Sequence, residues 1–187
     1  MQQMTRNWFP LSGMRHAVLM FLAALCLGIP LFLKVSHLRM NYTDSVPLGL
    51  YREVQGPAEY AGLCLAQGTI ERAIKAGLEI AHGDCPTGVA PILKPVFHAS
   101  ADNPIVYRQA GFFVSRKLLL NTAPKERSRT GTPLSHYPFG EYRSGLWAIS
   151  DYNRDSFDSR YFGPVEPDAI RFYAKPVWTS GKGENHP

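Results

Sequence analysis

From Ala17 to Leu33 the chain reads AVLMFLAALCLGIPLFL, a run without a charge, bracketed by Arg15 and Lys34. As a helix rising ~1.5 Å per residue it covers about 26 Å, and Val35 extends it toward a ~30 Å hydrocarbon core. A helix buried in a soluble core carries a polar stripe, and this segment has none. Three membrane readings are open to it. A cleaved signal peptide needs small residues at its cleavage site, and the exit Lys34-Val35-Ser36-His37 supplies a poor one. A lipoprotein signal would place Cys26 after a small residue, whereas Leu25 precedes it. An uncleaved anchor fits best. The expected organisation is a cytoplasmic N-terminal segment at 1–16, a transmembrane anchor at 17–35 and one domain at 36–187.

Composition narrows what that domain is. The chain has 187 residues, 45% hydrophobic and 19% charged, which excludes a disordered tail and a multi-spanning membrane protein. Gly 16 and Pro 15 point to a loop-rich β protein. The net charge is +5, but residues 1–34 hold Arg6, Arg15 and Lys34 with no acid. The remainder therefore carries 17 bases against 15 acids, which excludes a nucleic-acid partner argued from the isoelectric point alone.

The positive-inside count does not decide orientation, because Arg6 and Arg15 precede the span while Lys34, Arg39 and Arg52 follow it. The cysteines bear on it. Cys26 lies within the span, and Cys64 and Cys85, both among turn residues, suit a disulfide in an oxidising compartment. Two unpaired small hydrophobes is the other reading. The domain is expected outside the cytoplasm, on the periplasmic side of the inner membrane.

Strands are expected at Leu48 to Val54, at Ile105 to Val114 broken by Gly111, at Gly145 to Ser150 and at Ile170 to Trp178. Ile70, Ala73, Ile74 and Leu78 recur at helical spacing, so a short helix is expected within Ala61 to Ala81. Residues 121–141 are polar with three prolines and read as a long excursion whose PKERSR run is solvated. The tail, 181–187, reads as frayed.

There is no glycine-rich phosphate loop, no His-x-x-x-His pair and no Cys-x-x-Cys, so neither a cofactor nor a metal is expected. His98 and His136 have nothing resembling a nucleophile elbow around them and read as ordinary surface or packing histidines. Two stretches stand out. Asn41-Tyr42-Thr43-Asp44-Ser45-Val46-Pro47-Leu48-Gly49-Leu50-Tyr51 places hydroxyls and a proline in a turn just before a strand. A helix-to-strand linker with capping hydroxyls has the same look. Asp151 to Pro164 packs acids, arginines and serines after the strand GLWAIS, and Asp158 with Arg160 suits an ion pair that pins a loop.

Together these stretches carry a resemblance. Asp158-Ser159-Arg160-Tyr161-Phe162-Gly163-Pro164-Val165 resembles the carboxy-terminal signature of the serine–lysine signal peptidases. Asn41 to Tyr51 resembles the nucleophile motif of their conjugative-transfer branch, the TraF-type proteases that process pilin precursors. Gly83-Asp84-Cys85-Pro86-Thr87-Gly88, followed by Pro91-Ile92-Leu93-Lys94, is similar to the same branch. The match runs from 41 to about 178.

The resemblance implies a mostly β domain of coiled antiparallel sheets behind one transmembrane helix, with its site facing the membrane. It implies a Ser–Lys dyad, with Ser45 the nucleophile and Lys94 the general base. An ordinary lysine titrates near ~10.4, so its value must fall by roughly 2–3 pH units, about 3–4 kcal/mol, for it to act as a base. The apolar neighbourhood of Pro91 to Phe97 suits that demand, and a surface lysine with a buried stem has the same sequence pattern. By the same similarity Ser156 orients the lysine amine, Asp158 and Arg160 hold their loop, and Thr43 adds a hydroxyl to the oxyanion hole beside the Ser45 amide. The implied partners are the lipid bilayer and a membrane-inserted pilin precursor or other signal-peptide-bearing protein, cleaved after a small residue by hydrolysis or with cyclisation.

Three features depart from the family, one being a loop ahead of Ser156 that is a residue shorter than in housekeeping signal peptidases. Pro95 follows the lysine where arginine is usual, and Ala101-Asp102 stands for a Gly-Asp pair. Because proline cannot donate to a sheet ladder, the strand carrying Lys94 is expected to be an edge or irregular. Rival readings are a housekeeping signal peptidase for secreted proteins and an inactive anchored component of a secretion channel. The spacing of Ser45-Val46-Pro47 and the short chain favour the specialised branch over the first. Retention of Ser45, Lys94 and Ser156 together speaks against the second.

Overall fold

The apolar run and the domain after it form separate units. The computed structural model describes residues 11–180, so Arg6 and the expected frayed tail lie outside the described residues. Helix α1, Leu11–Val35, begins upstream of Ala17, and residues 13–33 within it are long and apolar enough to cross a membrane. From Ala17 to Leu33 it carries no charged residue, and Pro30 lies inside it. The expected segment at 1–16 falls mostly outside the described residues, and its last part is helical.

The second unit is mostly β. In chain order come β1 (Leu38–Asn41), β2 (Leu48–Val54), β3 (Tyr60–Leu63), α2 (Gln67–Lys75), β4 (Ile92–His98), β5 (Ile105–Arg108) and β6 (Gly111–Val114). They are followed by β7 (Lys117–Leu118), β8 (Gly140–Tyr142), β9 (Leu146–Ala148), α3 (Ser159–Phe162) and β10 (Ile170–Ser180). One sheet has six strands in the order β1-β2-β10-β3-β4-β9, and the other has four, β7-β6-β5-β8. β10 pairs antiparallel with β2 on one side and β3 on the other, so the last strand of the chain closes the middle of the larger sheet.

Each layer follows from side-chain pattern. β2 alternates, with Gly49 and Tyr51 inward and Leu48 and Arg52 outward. All of β3 is buried, because it lies between β10 and β4. At its Gly62 a Cβ would come within 2.2 Å of the Phe172 ring, so any larger residue would have to displace that ring. Trp147 of β9 is fully buried and packs at 5.7 Å from Phe112 of β6, which joins the two sheets through a shared aromatic core.

The expected strand at Ile105 to Val114 is a hairpin. Its break falls at Gln109-Ala110, and Gly111 opens β6 at φ 124°. The expected helix within Ala61 to Ala81 is shorter than that interval. Ala61 to Leu63 belong to β3, Ile70 and Ala73 are the buried face of α2, and Ile74 is exposed. The strand carrying Lys94 is not an edge, since β4 lies between β3 and β9. β3 pairs with Ile92 to Pro95 and β9 with Val96 to His98, so Pro95 sits where one partner hands over to the other and its missing N–H interrupts neither ladder.

A disulfide joins Cys64, just after β3, to Cys85, in the loop that leads into β4. It closes the excursion that contains α2, across a sequence separation of 21. Loop-closure entropy makes such a link worth about 3 kcal/mol. Cys64→Ser with Cys85→Ser is therefore expected to lower unfolding free energy by about 3 kcal/mol in denaturant titrations. Unchanged stability contradicts a structural role for the bridge.

Candidate active site

The turn between β1 and β2 is built by one buried amide. Asn41, at the end of β1, donates from Nδ2 to the carbonyls of Thr43 (2.8 Å), Val46 (3.2 Å) and Pro47 (3.2 Å). Its Oδ1 accepts from the Thr43 amide (3.2 Å) and the Thr43 hydroxyl (2.9 Å). Tyr51, fully buried, donates to the Pro47 carbonyl at 2.7 Å. Burial first, then the Glu59 charge, raises the Tyr51 phenol, which keeps it protonated as a donor. Val46 and Tyr51 anchor the turn in a core shared with Tyr60, Leu93 and Ala174. The result is a fixed turn with Ser45 only 7% exposed, facing inward.

β4 brings Lys94 to that turn. Lys94 is 1% exposed, and its Nζ lies 2.6 Å from Ser45 Oγ and 2.6 Å from Ser156 Oγ. The Ser156 hydroxyl also lies 3.3 Å from Ser45 Oγ, so the three groups form a closed triangle. Burial lowers Lys94 to about 8; the Asp158 charge opposes this and the Arg160 charge assists it.

The loop bearing Ser156 is held by a buried ion pair. Arg160 meets Asp158 bidentately, from Nε to Oδ1 at 2.8 Å and from Nη2 to Oδ2 at 2.9 Å, with both side chains fully buried. Its remaining donors reach the carbonyls of Ser156 and Asn121 at 2.8 Å and of Arg154 at 3.0 Å. Burial pulls the Arg160 guanidinium down, but Asp158 more than offsets this and the net direction is up. Asp158 also caps α3 by accepting from the Arg160 amide, and its Oδ2 accepts from the Ser150 amide at 2.9 Å. Ser150 in turn donates from its hydroxyl to the Ser45 carbonyl at 2.6 Å. A chain of bonds thus runs from the ion pair to the backbone of Ser45.

Of the six residues singled out in the sequence, the fold brings Ser45, Lys94 and Ser156 into contact and sets Asp158 and Arg160 directly behind them. Thr43 lies in the same turn, its hydroxyl engaged by Asn41. Asn41 and Ser150 were not anticipated as organisers. Asn41 opens the quoted turn motif and Ser150 ends the GLWAIS strand, and in both the signal was composition without geometry. Ser45 borders two clefts. One, about 300 Å³, is mostly apolar and includes Leu78, Ile80, Ala81, Ala90, Ile92 and Phe172. The other, about 550 Å³, is mixed, with Lys125, Arg129 and Asp155 beside Leu78, Leu134 and Phe157. A larger cavity, about 760 Å³, lies beside Cys64, Phe162 and Ile170 and does not include these hydroxyls. Among the described residues no cluster of side chains is suited to a metal ion.

The fold and site define a class: a mostly β domain behind an apolar helix, with a buried serine–lysine–serine cluster. The chain is 34% identical to a plasmid transfer protein TraF of Escherichia coli, covering 75% of this chain and 82% of that one. It is also 27% identical to a probable conjugal transfer protein TraF of Sinorhizobium fredii, covering 75% and 77%. The corresponding figures for a conjugal transfer protein TraF of Agrobacterium fabrum are 26% identity, 88% and 97%. No family model and no solved structure matches. The chain belongs to the TraF family of plasmid transfer proteins.

Burial of Lys94 leaves a signature in stability. Its folded value, about 8, lies below the ordinary 10.5, so between those limits the folded state binds fewer protons than the unfolded one. The resulting penalty is complete below the folded value and lifts as pH rises through that window. Wild type should gain about 3 kcal/mol relative to Lys94→Met from neutral pH to above the unfolded value. Parallel denaturant titrations check this; a constant difference contradicts a lowered lysine.

Proposed function

We propose that the chain is a membrane-anchored serine endopeptidase that processes a pilin precursor for conjugative transfer. One observation carries the chemistry: the buried Lys94 amine, lowered to about 8, lies 2.6 Å from Ser45 Oγ. A lysine so placed is neutral in roughly a tenth of molecules at pH 7, far more than an ordinary lysine, and the neutral amine accepts a proton from the hydroxyl it touches. The names of the TraF relatives support the setting, plasmid and conjugal transfer.

In this mechanism the neutral Lys94 takes the Ser45 hydroxyl proton as Oγ attacks the scissile carbonyl carbon. The carbonyl electron pair moves onto oxygen, where the Ser45 amide and the Thr43 hydroxyl receive it. Thr43 gives up its bond to Asn41 Oδ1 to do so, and one such donor is typically worth ~2.7–4 kcal/mol to the transition state. The oxyanion then reforms the carbonyl, the C–N bond breaks, and the Lys94 ammonium protonates the departing amine. Water, or the amino terminus of the same substrate, next attacks the acyl carbonyl with Lys94 again as base; the acyl–Oγ bond then breaks and the Lys94 ammonium returns the proton to Ser45 Oγ. Hydrolysis releases a linear product, and attack by the amino terminus releases a cyclic one.

Throughout, Ser156 holds the amine on line with Ser45, while Asp158 and Arg160 fix the loop that carries Ser156. The apolar cleft beside Ser45 suits small side chains on the acyl side of the cut bond. The Cys64–Cys85 disulfide supports a domain in the periplasm, and α1 supports a single-pass anchor in the inner membrane with residues 36–187 as the catalytic domain. A substrate held in the same bilayer then arrives by lateral diffusion at high effective concentration.

Co-expression with a pilin precursor, read by intact mass, tests the reading. Wild type is expected to shorten the precursor and Ser45→Ala and Lys94→Met to leave it intact, while a product lighter by one water than the linear form identifies cyclisation. Turnover should rise with pH to a plateau above about 8, falling about tenfold per pH unit below it, as protonation of Lys94 removes the base. Normal cleavage by Lys94→Met would falsify the dyad, and a precursor left full length by wild type favours the inactive-component reading.

A further inference from the structure

Thr43, Ser45, Leu78 and Glu79 border both of the clefts at Ser45. Thr43 and Ser45 belong to the β1–β2 turn, while Leu78 and Glu79 come from a different part of the chain and give the two clefts a common wall. A substrate that passes the nucleophile from one cleft to the other meets that wall.

The wall belongs to the excursion closed by the disulfide. After α2 the chain turns at Gly77, φ 89°, and the Leu78 amide donates to the Ala73 carbonyl at 2.9 Å. Leu78 and Ile80 pack against Ala73, Phe157 and Tyr161. Ala81 then opens a hairpin that returns at Ala90. The Ala90 amide donates to the Ala81 carbonyl at 2.7 Å, the Gly83 amide to Gly88 at 3.1 Å and the Cys85 amide to Val89 at 3.0 Å. Ala81 and Ala90 also border the apolar cleft, and the limb after Ala90 runs into β4 and Lys94.

The far end of this hairpin has one firm attachment. From 81 to 88, Cys85 is the one buried residue, and its sulfur is bonded to Cys64 just after β3. Asp84 beside it approaches Arg39 only to 4.0 Å, with both side chains exposed, and such a pair is worth little. An exposed hairpin that buries so little opens locally once its tether is cut. The catalytic groups are held by other means. The Asn41 amide fixes the Ser45 turn, β3 pairs with Lys94, and the Asp158–Arg160 pair orders the Ser156 loop.

We propose that the Cys64–Cys85 disulfide positions the substrate-binding wall: intact, it fixes Leu78, Glu79 and the 81–90 hairpin at the clefts, and its reduction by a dithiol loosens the grip on substrate while Ser45 and Lys94 stay in register. This inference rests on the peptidase reading. Reduction passes two electrons and two protons from the dithiol, leaving two thiols here and a disulfide in the reductant. The chain thereby binds substrate fully only in an oxidising compartment.

The test measures KM and kcat of the full chain on a pilin-precursor peptide in three forms: oxidised, reduced with dithiothreitol, and as Cys64→Ser with Cys85→Ser. Loss of the bridge is expected to raise KM about tenfold and to leave kcat within about twofold, the mark of lost binding with the chemistry retained. A Lys94 carbon-13 midpoint still at about 8 shows that the dyad is intact. Phe112→Leu destabilises the aromatic core away from both clefts and should leave KM unchanged. Hydrogen exchange is read alongside: in the reduced chain the Gly83, Cys85 and Ala90 amides should exchange about tenfold faster or more, and those of β3 and β4 at their former rate. An unchanged KM, or a loss confined to kcat, overturns the proposal. Wild type that cleaves no peptide overturns the peptidase reading instead, and the exchange rates then decide: hairpin protection that survives reduction overturns the positioning role.

Discussion

The contact of the Lys94 amine with two serine hydroxyls is the interaction around which the domain is arranged. An ammonium without a counter-ion is costly in a dry interior, and the side chain responds by titrating lower. The site therefore requires that three distant parts of the chain converge and exclude water. Ser45 lies 49 residues from Lys94 in sequence, and Ser156 lies 62. The β1–β2 turn, the interior strand β4 and the loop before α3 each deliver one group. β10, running through the middle of the larger sheet, pairs with both β2 and β3 and so fixes the first two against each other.

The buried charges behind the site are consistent with this balance. Asp158 alone would raise Lys94 and favour its charged form, and Arg160 counters that effect while pairing with the carboxylate. Every branch of the pair is hydrogen-bonded, which is the condition for tolerating such a pair in a core. The same two residues order the loop, because Arg160 donates to the carbonyls of Arg154 and of Ser156 itself and Asp158 begins α3. Position and electrostatics are thus supplied by one ion pair.

Part of this was legible in the sequence. LGLYREV alternates cleanly and is a strand at the expected bounds, since one face meets a core and the other does not. β3 escaped notice because it is short and buried on both faces, so YAGL shows no alternation. Pro95 pointed to an edge or irregular strand; the strand is interior, and the ladder changes partners at that proline. The paired cysteines were readable from their scarcity and turn context. Lys94 was not readable from its neighbours alone, as a lysine with a buried stem and a wet head has the same flanking residues. Asn41 and Ser150 act on carbonyls whose directions depend on the folded turn, which a linear pattern does not carry.

The central claim is that the Lys94 amine is held near neutrality by burial. A carbon-13 NMR titration of the lysine Cε resonances, with Lys94 assigned by its absence in Lys94→Met, measures this directly. The account predicts a midpoint at about 8 for Lys94, below the other lysines. A midpoint with the others, near ~10.4, would contradict it.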